Sequence, residues 1–266
     1  MLEEPQVEAY LKRIGATAPT RPGLEGLRHL QERHVLSVPF ENLDYHLDRA
    51  IHMDEEVLTK VVDEHRGGGC YELNPALYFL LTALGYRVSI LPGRVHRPDG
   101  IGPAMCHLAL RVELEEAWLV DVGFGRNSRR PLRLADRADQ SDPHGTYRLI
   151  EAPEGGIDVL LNGRPLYRID DRPCTLDDFR PTLWWYRTCP DSPFLQDAFC
   201  ALRTEDGRVT LRGTTLTTIG SQGRTEEELP DESAVLSAYK EHFGFELDRL
   251  PNDPTVAGRT AGVQIG

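Results

Sequence analysis

The sequence predicts an α+β chain built in three stretches, on two changes of hydrophobic pattern and one break in composition. Apolar residues recur at helical spacing as far as Gly85, and from Arg87 they fall in short alternating or apolar runs. Pro190-Asp191-Ser192-Pro193 then separates these runs from a mixed final stretch. The expected units are a helical bundle over residues 1–86, a strand-rich unit over 87–188, and an α/β unit over 189–266. At 266 residues, 40% hydrophobic and 27% charged, the chain is long enough for linked cores of ordinary soluble composition.

The elements follow in order. Val7, Tyr10, Leu11 and Ile14 share one helical face closed by Gly15. A second helix is expected from Thr20 towards His34, with Pro22 in its first turn and Leu24, Leu27 and Leu30 inward. Asp54 caps a third that carries Val57, Leu58, Val61 and Val62. A fourth starts near Cys70, carries Leu73, Leu77, Leu80, Leu81 and Leu84, tolerates Pro75 in its first turn and ends at Gly85. Strands are expected over 87–95, 106–114, 117–122, 147–151, 157–161 and 165–169, forming an antiparallel sheet or small barrel. A helical stretch over 175–187 precedes the Pro-rich break. Beyond it, 198–204 and 208–214 flank Glu205-Asp206-Gly207 as a hairpin, and a helix over 232–243 carries Leu236, Tyr239 and Phe243. The tail from Pro251 has little to bury and is expected to be mobile.

Composition excludes several functions. A net charge of −12 leaves no basic stripe for nucleic acid, though Arg126, Arg129 and Arg130 are candidates for a local anion patch. The N-terminus lacks an apolar segment of signal-peptide type, and no apolar run approaches the ~18 residues of a membrane span. The five cysteines, Cys70, Cys106, Cys174, Cys189 and Cys200, are odd in number and contain no C-x-x-C pair. That argues against a disulfide framework or a zinc site and for a reducing, cytoplasmic setting, with no metal.

The chemistry-bearing candidates start at Arg66-Gly67-Gly68-Gly69-Cys70. Three glycines before a helix put the Cys70 thiol at a helix N-terminus, where unsatisfied N–H groups and the dipole stabilise a thiolate. The competing reading is a small buried cysteine in a core. His65 either tunes Cys70 or simply ends a surface helix. His107 shares a strand face with Ala109 and Arg111, and Asp121 shares one with Leu119. If the apolar stripes of the two strands lie on one side, His107 and Asp121 share the other; this requires a three-residue connection or a bulge near Leu114–Glu116. Asp121 then orients the imidazole and His107 takes the thiol proton. Alone, His107 reads equally as a strand histidine with a structural hydrogen bond. Cys106 alternates to the opposite face and reads as core. Val122-Gly123-Phe124-Gly125-Arg126 is either a substrate-lining loop or a plain turn, and the glycines match neither a P-loop nor a dinucleotide fingerprint.

Four blocks together resemble the arylamine N-acetyltransferase family: Tyr10-Leu11-Lys12-Arg13-Ile14-Gly15, Val38-Pro39-Phe40-Glu41-Asn42-Leu43, Arg66 through Asn74, and Cys106-His107-Leu108 with Asp121-Val122-Gly123-Phe124-Gly125. A weaker echo follows in Pro190-Asp191-Ser192-Pro193-Phe194. The resemblance implies a papain/transglutaminase-like core of helical bundle, β-barrel and α/β lid. It implies ping-pong acetyl transfer from acetyl-CoA, a cosubstrate and not a resident cofactor, to an arylamine, arylhydroxylamine or hydrazine. Cys70, His107 and Asp121 then match the catalytic triad, Glu41 and Arg66 an ion pair bracing the Cys segment, and Tyr71, Gly123, Phe124 and Phe40 substrate or oxyanion positions. Arg126 and Thr215 are the candidates for donor phosphates. Gly69 stands where the family often has a larger residue, and Leu183–Cys189 departs from the family pattern, which bears on acceptor and donor choice. Two alternatives remain: a related amide synthase that closes macrolactams from an acyl carrier protein, and a non-catalytic scaffold on the same core.

Overall fold

The computed structural model describes residues 2–251, so the expectation for the tail beyond Pro251 lies outside the described residues. Six α-helices are labelled here: α1 Glu4–Ile14, α2 Leu24–Ser37, α3 Leu43–Leu47, α4 Cys70–Ala83, α5 Arg180–Thr188 and α6 Glu232–Ala238. The strands are β1 Phe40–Glu41, β2 Arg87–Arg97, β3 Gly100–Ile101, β4 His107–Glu113, β5 Ala117–Val120, β6 Leu132–Arg133 and β7 Gln140–Asp142. They continue with β8 Gly145–Glu151, β9 Ile157–Leu161, β10 Arg164–Ile169, β11 Phe199–Arg203, β12 Arg208–Arg212, β13 Thr215–Gly220 and β14 Gly223–Glu228.

Local chemistry accounts for most boundaries. At the end of α4, Gly85 takes φ +86°, and the N–H groups of Gly85 and Tyr86 return to the carbonyls of Thr82 and Leu81. Only glycine enters that left-handed position without strain. Helix α2 begins at Leu24 and not at Thr20: Pro22 disfavours helical backbone at Arg21, and Gly23 becomes the cap. Pro75 sits in the second turn of α4, not the first, because the helix starts at Cys70 itself. The third helical segment is a wide-turn helix over Thr59–Asp63 that buries Lys60 and Val61. The last helix likewise widens at Tyr239–Phe243, so Val235, Ala238, Tyr239 and Phe243 face inward and Leu236 is only half-buried.

Two sheets organise the chain. The middle strands run β6-β5-β4-β2-β10-β9-β8-β7 with β3 on β2, curling into a nearly closed barrel. Its interior is lined by Leu91, Ala109, Leu119, Tyr147, Leu149, Val159 and Ile169, while the opposite face of β4 and β5 (Leu108, Leu110, Val112, Trp118, Val120) packs on the helices. The second sheet runs β1-β11-β12-β13-β14; the hairpin at 205–207 forms as expected, whereas β1 and α3 are too short and β13 and β14 too polar to be read as elements. Packing crosses the expected blocks. Phe179, Leu183 and Tyr186 join the helical core, and Leu43 and Leu47 join Cys200, Leu211 and Phe243 beneath the second sheet.

Candidate active site

Cys70 is the first residue of α4, where the leading N–H groups have no intrahelical partner. It is 5% exposed. Backbone reaches it very closely: a Cβ on residue 123 would lie 2.5 Å from the Cys70 Cα, so only glycine fits there. A Cβ on Gly69 would meet only the Phe194 ring, at 3.8 Å, so this position leaves room beside Cys70.

The β4–β5 register answers the strand-face question. Glu113 pairs with Ala117 across a three-residue connection, and Leu110 pairs with Val120. Continuing that register one step past β5 sets Asp121 beside Ala109 and diagonal to His107, on the barrel-interior side. His107 Nε2 donates to Asp121 Oδ2 at 2.9 Å, which leaves Nδ1 for the Cys70 thiol within its hydrogen-bonding reach. Gly93 faces His107 across β2, and a Cβ there would press on the imidazole at 3.3 Å. Tyr167 lies against the ring at 4.4 Å between centroids, and its side chain also reaches Asp121.

Burial opposes the His107 charge, yet the Asp121 carboxylate and the hydrogen bonds to Asp121 and Cys70 lift its pKa to about 10. Burial likewise opposes the Asp121 charge, but His107, the Asn74 amide and the Gly123 N–H hold that carboxyl below its ordinary value. The pair is thereby poised as imidazolium and carboxylate in a dry site.

Asn74 is the residue that sequence reasoning missed. Its Nδ2 donates to Asp121 Oδ1 at 2.9 Å and to the Leu108 carbonyl at 2.6 Å, and its Oδ1 accepts the Val122 N–H at 2.9 Å. The signal was present: Asn74 is four residues after Cys70 and so on the same helix face.

The other expected positions divide. Phe40 and Phe124 line a cleft of about 390 Å³ next to the triad, and the Phe124 ring abuts His107 at 5.2 Å. Gly123 N–H donates to Asp121 Oδ1 at 2.9 Å, so it is not an oxyanion donor; its contribution is the close approach to Cys70. Tyr71 does not face the cleft. Its ring packs edge-on against Phe179 and Tyr186, and its hydroxyl donates to the Met105 carbonyl at 2.5 Å. Thr215 Oγ1 is occupied by Glu228. Arg129 is paired with Glu32 and Glu205, which removes it from an anion patch. His65 is exposed and turns the chain at φ +57°.

Glu41 and Arg66 are buried and paired at 2.7 Å, within a larger network. Arg66 also meets Asp44 at 2.9 Å, and Lys60 meets Asp44 at 2.8 Å and Glu72 at 2.7 Å. Glu72 Oε2 accepts the Gly69 N–H at 3.1 Å, joining the network to the residue before Cys70. Burial pushes Glu72 up to about 7 against the opposing pull of Lys60. Lys60 and Arg66 are both raised; burial opposes their charge, and the surrounding carboxylates outweigh it.

Among the described residues, the grouping with metal-ligand spacing is His52, Asp54 and Glu56, which includes no triad residue. No helix of the described residues is long and apolar enough to cross a membrane.

A thiol at a helix N-terminus, with an imidazole and a buried carboxylate in line behind it, is the arrangement used in thiol-dependent covalent catalysis. A family model described as N-acetyltransferase matches residues 23–251. The chain is 36% identical to the arylamine N-acetyltransferase of Mycolicibacterium smegmatis over 91% of this chain and 92% of that one. It is 33% identical to the Escherichia coli enzyme of the same name over 95% and 93%. Among solved structures, the Mycobacterium marinum arylamine N-acetyltransferase in complex with CoA superposes with TM-score 0.83 at 33% identity, over 90% and 92% of the two chains. The Salmonella typhimurium arylamine N-acetyltransferase gives 0.85 at 27%, over 97% and 98%. The chain belongs to the arylamine N-acetyltransferase family.

Proposed function

We propose that the protein transfers an acetyl group from acetyl-CoA to the nitrogen of an arylamine, arylhydroxylamine or hydrazine, through a thioester on Cys70. The observation that carries this reading is the chain of contacts from Cys70 through His107 to Asp121, with the histidine held by its Nε2. The Cys70 thiolate attacks the thioester carbonyl of the donor, and the carbon–sulfur bond to CoA breaks. The CoA thiol leaves with the proton held on His107. One thioester replaces another, so this exchange costs little free energy. An arylamine, uncharged near neutral pH, then attacks the acetyl-cysteine; its proton passes to His107 and the Cys70 thiolate is released.

The leading N–H groups of α4 are the donors available to the carbonyl oxygen in both steps, support of the kind that contributes ~3 kcal/mol or more to a transition state. Asp121 keeps the imidazole in the tautomer that presents Nδ1 to sulfur. Phe40 and Phe124 offer aromatic walls for a flat acceptor.

The reported relatives are arylamine N-acetyltransferases, and one neighbour was solved with CoA. Neither the macrolactam-forming alternative with its carrier-protein partner nor the scaffold alternative gains support from them. A reducing, cytoplasmic setting is consistent with five unpaired cysteines.

The test is intact-protein mass spectrometry after mixing with acetyl-CoA. One acetyl group is expected on the wild type and none on Cys70→Ala. An unmodified wild type, or an acetyl group retained in Cys70→Ala, would overturn the reading.

A further inference from the structure

The three glycines before Cys70 are not equivalent. A Cβ on Gly67 would lie 1.8 Å from the Pro39 carbonyl oxygen, and one on Gly68 would lie 2.7 Å from the Glu72 Cβ. Packing therefore requires glycine at both. At Gly69 neither packing nor backbone does. Its φ of −86° and ψ of −172° are extended geometry that any residue adopts. The atoms nearest a Cβ there are Cε1 and Cζ of Phe194, both at 3.8 Å, an ordinary contact distance. Gly69 is nevertheless buried, so the room beside it is a narrow recess and not open solvent.

Aromatic rings wall this recess. The Phe194 ring stacks on Tyr45 with centroids 5.1 Å apart and meets Tyr186 edge-on at the same distance. It also lies near Phe199, which packs on Phe40, and both of these line the cleft beside the triad. A row of rings thus runs from the cleft to Gly69. The Asn42 amide holds Phe194 in place by donating to its carbonyl at 3.0 Å. The rings behind Phe194 are also near the thiol: burial raises the pKa of Tyr45 and of Tyr186, and the Cys70 charge adds to it in both.

Acyl exchange at Cys70 leaves one direction for the acyl chain. The tetrahedral carbon carries the Cys70 sulfur, an oxyanion, the departing CoA sulfur and the chain. The oxyanion belongs with the leading N–H groups of α4, and the departing sulfur with His107, which gives it a proton. The Gly123 backbone closes one side of Cys70, and Phe179 and Tyr186 fill the Tyr71 side. Gly69 is the flank left with room.

We propose that Gly69 sets the acyl specificity of Cys70: the recess between its backbone and the Phe194 ring receives the chain of a short, unbranched, apolar acyl group longer than acetyl. This rests on the reading of Cys70 as an acyl carrier loaded from a CoA thioester. The step is the same exchange. The Cys70 sulfur bonds to the acyl carbon, the carbon–sulfur bond to CoA breaks, and CoA leaves as the thiol with the proton from His107. Each methylene laid against the Phe194 ring leaves water, which favours the longer chain. Walls made of rings suit an apolar chain and not a carboxylate-ended one.

The experiment measures Cys70 loading from acetyl-, propionyl- and butyryl-CoA by rapid quench and intact-protein mass spectrometry, in the wild type, Gly69→Ala and Gly69→Leu. The wild type should load from butyryl-CoA at a rate within about tenfold of that from acetyl-CoA. A larger gap would overturn the proposal without recourse to any variant. The butyryl-to-acetyl ratio should fall at least about tenfold in Gly69→Leu, the scale of methylene groups excluded from a pocket, and by less in Gly69→Ala. The ratio is taken within one protein, so a general loss of stability does not imitate this result. An unchanged ratio in Gly69→Leu would overturn the proposal; if that variant does not fold, Gly69→Ala decides by the same criterion. Unchanged loading from all three donors, with slower transfer from the acetyl-enzyme to an arylamine, would assign the recess to the acceptor and overturn it as well. If the wild type loads from acetyl-CoA but not from butyryl-CoA, only this proposal fails; if no CoA thioester loads it, the acyl-carrier reading fails first.

Discussion

Two buried ionic clusters flank Cys70, and their difference shows how this fold separates reactivity from support. On one side Glu41, Asp44 and Glu72 meet Lys60 and Arg66, three carboxylates against two cations, and the close contacts lie inside the cluster or run to local backbone N–H groups. On the other side Asp121 and His107 form a chain that ends at the Cys70 thiol, the group that the proposed reaction changes in protonation and bonding. Burial is nearly complete in both. Low dielectric makes each pairing strong, and what distinguishes them is where they lead: the carboxylates of the first meet cations and backbone N–H groups, while the second chain runs to the thiol.

The largest expected effect breaks the chain to the thiol. Asp121→Asn should fold, because Asn keeps a hydrogen-bonding partner for Asn74 and the Gly123 N–H, yet hold the imidazole in the wrong tautomer. Its rate of Cys70 acetylation should fall by about 10³–10⁴-fold, the scale seen when a triad carboxylate is neutralised in other enzymes. Loading within a few-fold of wild type would remove Asp121 from the mechanism.

Next comes the first network. Lys60→Met leaves three buried carboxylates facing Arg66 alone and should destabilise the protein by about 3–5 kcal/mol. Urea denaturation reads this directly. The folded fraction should keep most of its acetylation rate, and a collapse of that rate in well-folded protein would show that the brace belongs to the reactive machinery.

Asn74 joins Asp121 to the helix that carries the nucleophile. Asn74→Ala strips Asp121 Oδ1 and the Val122 N–H of a partner and should cost about 1–3 kcal/mol, with a smaller loss of loading than Asp121→Asn. A thermal melt and the same loading assay rank the two variants; the reverse order would mean that Asn74, and not Asp121, sets the imidazole.

The gentlest perturbation is pH. His107 is raised in the folded protein from 6.5 to about 10, so its stabilising contribution is complete below 6.5 and fades as pH climbs through about 10. Asp121 is lowered from 3.8, so its contribution holds above that value and is lost as pH falls through the lower folded value. The stability gap between wild type and Asp121→Asn should therefore be widest between about pH 5 and 6.5 and narrow towards pH 10. A gap that widens with rising pH would contradict the imidazolium–carboxylate pairing.

Much of the site was legible locally. Cys70 is placed by glycines before a helix, and His107 and Asp121 by strand alternation, because period and turn chemistry operate within a few residues. The one free choice, the connection near Leu114–Glu116, came out as the three-residue form that puts both on the barrel side. Less was readable where distant segments meet. No motif marks Lys60 in the sequence, and its role appears only when Thr59–Asp63 turns it onto Asp44 and Glu72. Tyr71, beside the nucleophile in sequence, points into the core because the α4 face it occupies is covered by Phe179 and Tyr186.

By itself the sequence determined the α+β order of elements and the thiol at the start of α4, and it placed His107 and Asp121 on one face only on condition of the right β4–β5 connection, which the register then supplied. Only the tertiary structure decided which charges are neutralised. Arg66 is closed by carboxylates from other segments, while Arg126 and Arg208 face a cleft without them. Pairing of charges depends on which side chains long-range packing brings within a few ångströms, and that distance is not written in local sequence.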